Sequence, residues 1–229
     1  MNKALVNIAA RIALLGLVVI GCSGNEIRSL EELEQMAQNP TPDLRKEVVQ
    51  GPFKFTINYL PPEVLLLNEY KYLEELKERG AEEEAIQKQI AFINLYKKSY
   101  ASTLQFKVII TPEDGSDLIY EKMQQGFGAY SEWLQKLLFG IKEEITLVTP
   151  DGQEVPLIGY QMDRNYGVAK SRSFLLTFPK SWNGKEIEEH DSFKIRIDEF
   201  GLGTGRVTVK YSTPLPNITL SETYLTTPS

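Results

Sequence analysis

Alternating apolar and polar positions pick out the strands of this chain. Phe53, Phe55, Ile57 and Tyr59 alternate with Lys54, Thr56 and Asn58, the period of a strand with one buried face. Leu104, Phe106, Val108 and Ile110 repeat the pattern and run into Thr111-Pro112-Glu113-Asp114-Gly115, a turn by composition. Residues 145–148 and 155–160 flank Thr149-Pro150-Asp151-Gly152-Gln153, where Asp-Gly suits a tight β connection. Phe174, Leu176 and Phe178 alternate, as do Phe193, Ile195 and Ile197, and then Val207, Val209 and Tyr211. Strands with one polar and one buried face predict antiparallel sheets packed on each other.

A different period marks the helices. Ser29-Leu30-Glu31-Glu32 has the S-x-x-E form of a capping box, with Leu30, Leu33 and Met36 on one stripe and Asn39-Pro40-Thr41-Pro42 as its stop. Pro62 opens a second helix carrying Leu66, Tyr70, Leu73 and Leu76, and Gly80 ends it. Ile86, Ile90, Ile93, Tyr96 and Tyr100 then recur at helical steps, so 62–101 is expected to be an antiparallel helical hairpin. A further helix is expected over 117–139, with Leu118, Met123, Phe127, Tyr130, Leu134 and Leu137 on one stripe and Gly126 and Gly128 weakening its middle.

These elements predict an α+β fold: an antiparallel β-sandwich of about seven strands and immunoglobulin-like size, with an inserted helical hairpin and one further helix. The expected segments are a signal peptide at 1–21, a tether with a short helix at 22–49, the body at 50–212 and a flexible Thr/Ser/Pro-rich tail at 213–229. The paired prolines of the tether predict an extended spacer.

The N-terminus carries an address. Lys3 and Arg11 precede an apolar run over 12–20 that ends at Gly21 and the single cysteine, Cys22. That run is shorter than the ~20 residues a membrane-crossing helix needs, so it reads as a cleaved signal. Val19-Ile20-Gly21-Cys22 resembles the lipobox of bacterial lipoproteins. The resemblance implies acylation of the Cys22 thiol, cleavage between Gly21 and Cys22, and membrane attachment through the acyl chains, for which two chains suffice. Ser23, where Asp would favour inner-membrane retention, points to the outer membrane of the bacterial cell envelope.

Charge and composition narrow the chemistry. The formal charge is −6, from 31 acidic and 25 basic residues, so there is no electrostatic footprint for nucleic acid. Cleavage before Cys22 removes two of the basic residues and none of the acidic ones, which takes the charge to −8. Anionic lipid would repel such a body, leaving attachment to the acyl chains. One Cys excludes an internal disulfide, and one His excludes sites that need two imidazoles. No cofactor motif is present, and no metal-ligand spacing: the acidic stretch around His190 and Glu113-Asp114-Gly115-Ser116-Asp117 both lack the alternation of a calcium loop.

Gly201-Leu202-Gly203-Thr204-Gly205 lies between two strands with no helix or Lys-Ser after it, so it reads as a wide turn and not as a phosphate loop. Trp182, in a loop by composition, is a candidate partner or ligand contact, weighed against a role in capping the core. The acidic hairpin tip, Glu82, Glu83 and Glu84, is a second such candidate; a purely solvated face is its ordinary reading. The expectation is a lipid-anchored, non-enzymatic binding or assembly component with an envelope protein as partner. The alternative is a carboxylate-dependent carbohydrate-active enzyme, because two carboxylates at the required separation leave no sequence signature.

Overall fold

The structure is a computed structural model and describes residues 25–27, 29–163, 170–199 and 201–225. It is an α+β chain whose strands lie mainly in antiparallel sheets. The first elements are β1 (Asn25–Ile27) and α1 (Leu30–Gln38). Ser29 caps α1 by accepting the Glu32 N–H at 3.1 Å, as the S-x-x-E spacing predicts. Next come β2 (Arg45–Gln50), β3 (Phe53–Tyr59), the short α2 (Pro62–Leu65), α3 (Leu67–Glu78), α4 (Glu83–Tyr100) and β4 (Thr103–Pro112).

Beyond β4 lie α5 (Leu118–Gln124), α6 (Phe127–Gln135), a π-helical turn over Lys136–Gly140 and α7 (Ile141–Glu144). The remainder is β5 (Ile145–Val148), β6 (Glu154–Pro156), β7 (Gly159–Met162), β8 (Arg172–Pro179), β9 (Ser181–Trp182), β10 (Lys185–Glu186), β11 (Ser192–Ile197), β12 (Val207–Ser212) and β13 (Ile218–Leu220).

Five strands pair in the order β2-β3-β4-β8-β7 and four in the order β12-β11-β5-β6. Two small pairs, β9 with β10 and β1 with β13, complete the described strands, so the pairing is richer than the seven strands expected. The alternation read from the sequence sets which side chains go inward. Phe55, Phe106 and Leu176 of the larger sheet and Leu147, Ile195 and Tyr211 of the smaller are all buried in one cluster. Tyr211 also ties the sheets covalently remote from each other, donating its hydroxyl to the Ile57 carbonyl at 2.6 Å while its ring stacks on Phe193 at 5.7 Å. The stretch expected as one strand over 155–160 is divided: β6 pairs in the smaller sheet and β7 in the larger.

The hairpin forms as expected, but its apolar stripe lies outside the cluster between the two larger sheets. Its stripe of Leu66, Tyr70, Leu73, Leu76, Ile86, Ile90 and Ile93 shares a second cluster with Leu30 and Leu33 of α1, Leu44, and Ile218 and Leu220 of β13. An ion pair fastens its base: Glu63, only 3% exposed, meets Lys97 at 2.8 Å. This second cluster corrects two expectations. The segment at 22–49 is not a spacer in its described part, because α1 is buried on the hairpin and β2 pairs with β3 from Arg45 to Gln50. The segment at 213–229 is not a loose tail as far as residue 225, because β13 pairs in parallel with β1 and buries Ile218 and Leu220. Both segments look too polar to fold alone, and each buries its few apolar residues against the other.

The helix expected over 117–139 is broken at Gly126, whose φ of 104° is a conformation side chains rarely adopt. The break resets the helical phase. Leu118 and Leu137 stay buried and are joined by Trp133 and Ile141, whereas Met123 and Phe127 of the expected stripe are exposed.

Candidate functional site

Gly21 and Cys22 lie outside the described residues. Covalent geometry still limits where a lipid on Cys22 could be: only Ser23 and Gly24 separate it from Asn25, at most about 11 Å of chain over three steps. Among the described residues no helix is long and apolar enough to cross a membrane.

Glu82, Glu83 and Glu84 stand at the turn between α3 and α4, all exposed, with Glu82 flanking the first turn of α4 and the other two within it. Carboxylates there oppose the positive end of the helix dipole. Glu83 also accepts the Gln87 side-chain N–H at 2.8 Å. Trp182 sits at the other end of the hairpin's length. It ends β9, opposite Lys185, across the two-residue Asn183-Gly184 turn, and is half-buried against the main cluster. Thr103, at the start of β4, pairs with Pro179 just before β9. The 18 residues of α4 therefore separate the acidic tip from the Trp182 hairpin by about 27 Å. The structure does not bring the two candidates into one site.

The glycine run is a turn between β11 and β12, as expected, and it does wrap an anion, one supplied by the chain itself. The Glu199 carboxylate accepts the N–H groups of Gly201 at 2.7 Å, Leu202 at 2.5 Å and Gly203 at 2.9 Å on Oε1, and of Gly205 at 2.7 Å on Oε2. Burial pushes this carboxyl up, but the four backbone bonds outweigh it and hold it below its ordinary 4.5. Such a ring of amides is a nest for negative charge. Nothing in the glycine pattern alone distinguishes a nest from a plain turn; the signal was Glu199 two residues before the first glycine.

Two lysines fasten this loop to the broken helix. Lys122 of α5 donates to the Gly201 carbonyl, and Lys136, at the start of the π-helical turn, donates to the Glu199 carbonyl at 3.1 Å and pairs with Glu144 at 2.8 Å. Between loop and helices lies a cleft of about 290 Å³, lined by Lys122, Gln125, Glu132, Trp133, Lys136 and Gly201. Trp133 forms part of its floor, 5% exposed. Its indole presses on the loop so closely that a Cβ on Gly201 would lie 3.0 Å from Cδ1, closer than side chains tolerate. The indole N–H has no hydrogen-bond partner among the described residues. Trp133 packs in the main cluster; that its N–H is left without a partner depends on the loop 68 residues later, which no local pattern encodes.

Of the remaining acidic groups, Glu188 pairs with Lys180 at 2.8 Å and accepts the Leu215 N–H at 3.0 Å, so it pins the C-terminal segment to the body. His190 is half-buried and its carbonyl accepts the Thr213 hydroxyl. Among the described residues no group of three or more His, Cys, Asp or Glu side chains is placed to hold a metal ion.

No protein-family model and no curated protein matches the chain. Two solved structures are similar to it. One is a DUF4426 family protein from Pseudomonas aeruginosa PAO1, 11% identical, covering 76% of this chain and 95% of its own, with a TM-score of 0.35. The other is a protein of unknown function from Burkholderia pseudomallei K96243, 16% identical, covering 82% of this chain and 90% of its own, with a TM-score of 0.38. At these scores neither likeness bears on what the chain does.

Proposed function

We propose that this is a lipid-anchored cell-envelope protein whose folded body is a non-enzymatic binding or assembly component. The observation that carries the anchor is Val19-Ile20-Gly21-Cys22, with the chain's one cysteine at the position the lipobox resemblance requires. On this reading the acyl chains on Cys22 supply the membrane attachment and the outer membrane is the destination. The body is read as a two-layer β-sandwich, a reading supported by the single buried cluster to which both larger sheets contribute. Its contact surfaces are the acidic turn at Glu82, Glu83 and Glu84, the Trp182 hairpin and the cleft beside the glycine loop, presented on separate faces to a ligand or envelope partner.

Cys22→Ser is the direct test of the anchor. The wild-type chain is expected to enter the detergent phase on phase partitioning and to incorporate labelled palmitate, and the variant to do neither. A variant that still partitions into detergent and still migrates as the mature species refutes the lipoprotein reading.

A further inference from the structure

We propose that the outer side of α4, along Phe92, Leu95 and Tyr96, lies on an anionic lipid surface beside the acylated cysteine. The proposal rests on the reading of Cys22 as a lipid anchor and names the part of the body that the membrane covers. The first observation is that α4 is apolar on two sides. Ile86, Ile90 and Ile93 are buried in the hairpin cluster, whereas Phe92, Leu95 and Tyr96 are 38%, 66% and 39% exposed. Steps of three and four from Phe92 put the other two on its side of the helix. The set is joined: the rings of Phe92 and Tyr96 are 4.3 Å apart, and Tyr96 lies 6.1 Å from Tyr100. Single exposed apolar side chains are ordinary, but a joined patch marks a surface that something covers.

The second observation is where the chain leads. Ile27 of β1 is buried in the same cluster as the inner side of α4, and Cys22 is at most about 11 Å of chain from Asn25. Acyl chains on Cys22 therefore bring the bilayer to the helical hairpin, not to the glycine-loop end of the sheets.

Charge chooses lipid over protein as the occupant. The chain is negative as a whole, but residues 85–100 contain three lysines and no carboxylate. Lys97 pairs with Glu63; Lys88, one turn before Phe92, and Lys98, three residues after Leu95, are both exposed. Lysines beside an anionic leaflet are attracted to it, and their stems can lie along apolar surface while the ammonium stays among the headgroups. Phe, Leu and Tyr bordered by Lys is the composition of a helix lying in the headgroup plane, whereas lysine is depleted from protein–protein interfaces.

The test places a polarity-sensitive fluorophore on Leu95→Cys in the full chain, reconstituted into vesicles of phosphatidylethanolamine and phosphatidylglycerol that carry nitroxide-labelled lipid. Wild type, whose one thiol is Cys22, is labelled alongside as the blank, and palmitate incorporation reads the anchor separately. Phe139→Cys, an equally exposed apolar position in the π-helical turn beside the cleft, is the control. The expected result is a blue-shifted fluorophore quenched by nitroxide lipid at position 95 and an unquenched one at 139. Lys88→Glu with Lys98→Glu is expected to lose most of the quenching at 95, and vesicles of phosphatidylcholine alone to give less of it. The proposal is overturned if position 95 is unquenched, if 95 and 139 are quenched alike, or if the double lysine variant is quenched like wild type. A blue shift that nitroxide lipid leaves unquenched shows protein over this side of α4, a second copy included, and also overturns it. A chain that incorporates palmitate but is unquenched at 95 loses this contact and keeps the anchor, whereas a chain without palmitate loses the anchor reading itself.

Discussion

Glu199 organises the whole β11–β12 connection, and removing its carboxylate has a calculable effect. Four backbone N–H groups converge on it. A hydrogen bond to a charged group contributes about 1.5–3 kcal/mol when water is kept away. Here Gly201, Gly203 and Gly205 are exposed and Leu202 is buried, so three of the freed amides regain water and only the Leu202 bond counts in full. Glu199→Ala is therefore expected to cost about 2–4 kcal/mol, well short of the sum of four such bonds. Glu199→Gln keeps one oxygen for the three amides on Oε1 but turns an NH2 toward the Gly205 N–H, and about half the loss is expected. The loop is also the far wall of the cleft, so tryptophan emission should report its loosening.

The assay is urea unfolding of wild type and both variants at neutral and at acid pH. Because the folded-state carboxyl is held below 4.5, its contribution is complete above that value and is lost as pH falls through the lower folded pKa. Glu199→Gln should remove this part of the acid dependence. If Glu199→Ala unfolds within about 0.5 kcal/mol of wild type, the range of an ordinary surface change, the nest is not what holds the loop.

Two further outcomes follow from the same reasoning. Tyr211→Phe leaves the Ile57 carbonyl without its 2.6 Å donor in the space between the sheets and is expected to cost about 1–3 kcal/mol in urea unfolding; a variant as stable as wild type means the two sheets do not depend on that bond. Reversing Glu82, Glu83 and Glu84 to Lys is expected to abolish cross-linking to an envelope partner and to lower stability by about 0.3–1 kcal/mol per site through the α4 dipole; undiminished cross-linking shows that the tip is a helix start and nothing more.

The parts of this fold that could be read from the sequence are those fixed by local period. Phe53 to Tyr59, Leu104 to Ile110 and Val207 to Tyr211 announce their buried faces by alternation, and Ser29 announces a helix start by its partner at Glu32. What escaped was set by distant segments. Ile218-Thr219-Leu220 is too short to read as a strand among prolines and threonines, and becomes one because Asn25–Ile27 pairs with it. Residues 155–160 read as one strand because Val155 and Leu157 sit at the right spacing, yet Thr177 accepts the Ile158 N–H on the other sheet and the chain changes layers there. The cleft was illegible for the same reason: Lys122, Gln125 and Trp133 look like an ordinary helix face until Gly201 closes over them.

The two clusters also fix a polarity that matters if Cys22 is acylated. β1 lies in the cluster with the hairpin, and the chain allows at most about 11 Å between Cys22 and Asn25, so the lipid would sit beside that end. β4 starts where the hairpin ends and runs for ten residues, Thr103 to Pro112, about 33 Å. At its far end Glu113 donates to the Pro52 carbonyl at 2.9 Å, and the β2–β3 turn there meets the glycine loop, with Gln50 donating to the Thr204 carbonyl at 3.0 Å. The cleft is thus on the end of the sheets opposite the anchor. With only Ser23 and Gly24 between Cys22 and Asn25, the length of the larger sheet itself is what would set the distance between the lipid surface and anything the cleft holds, and an insertion before Asn25 would need about nine extended residues to match it.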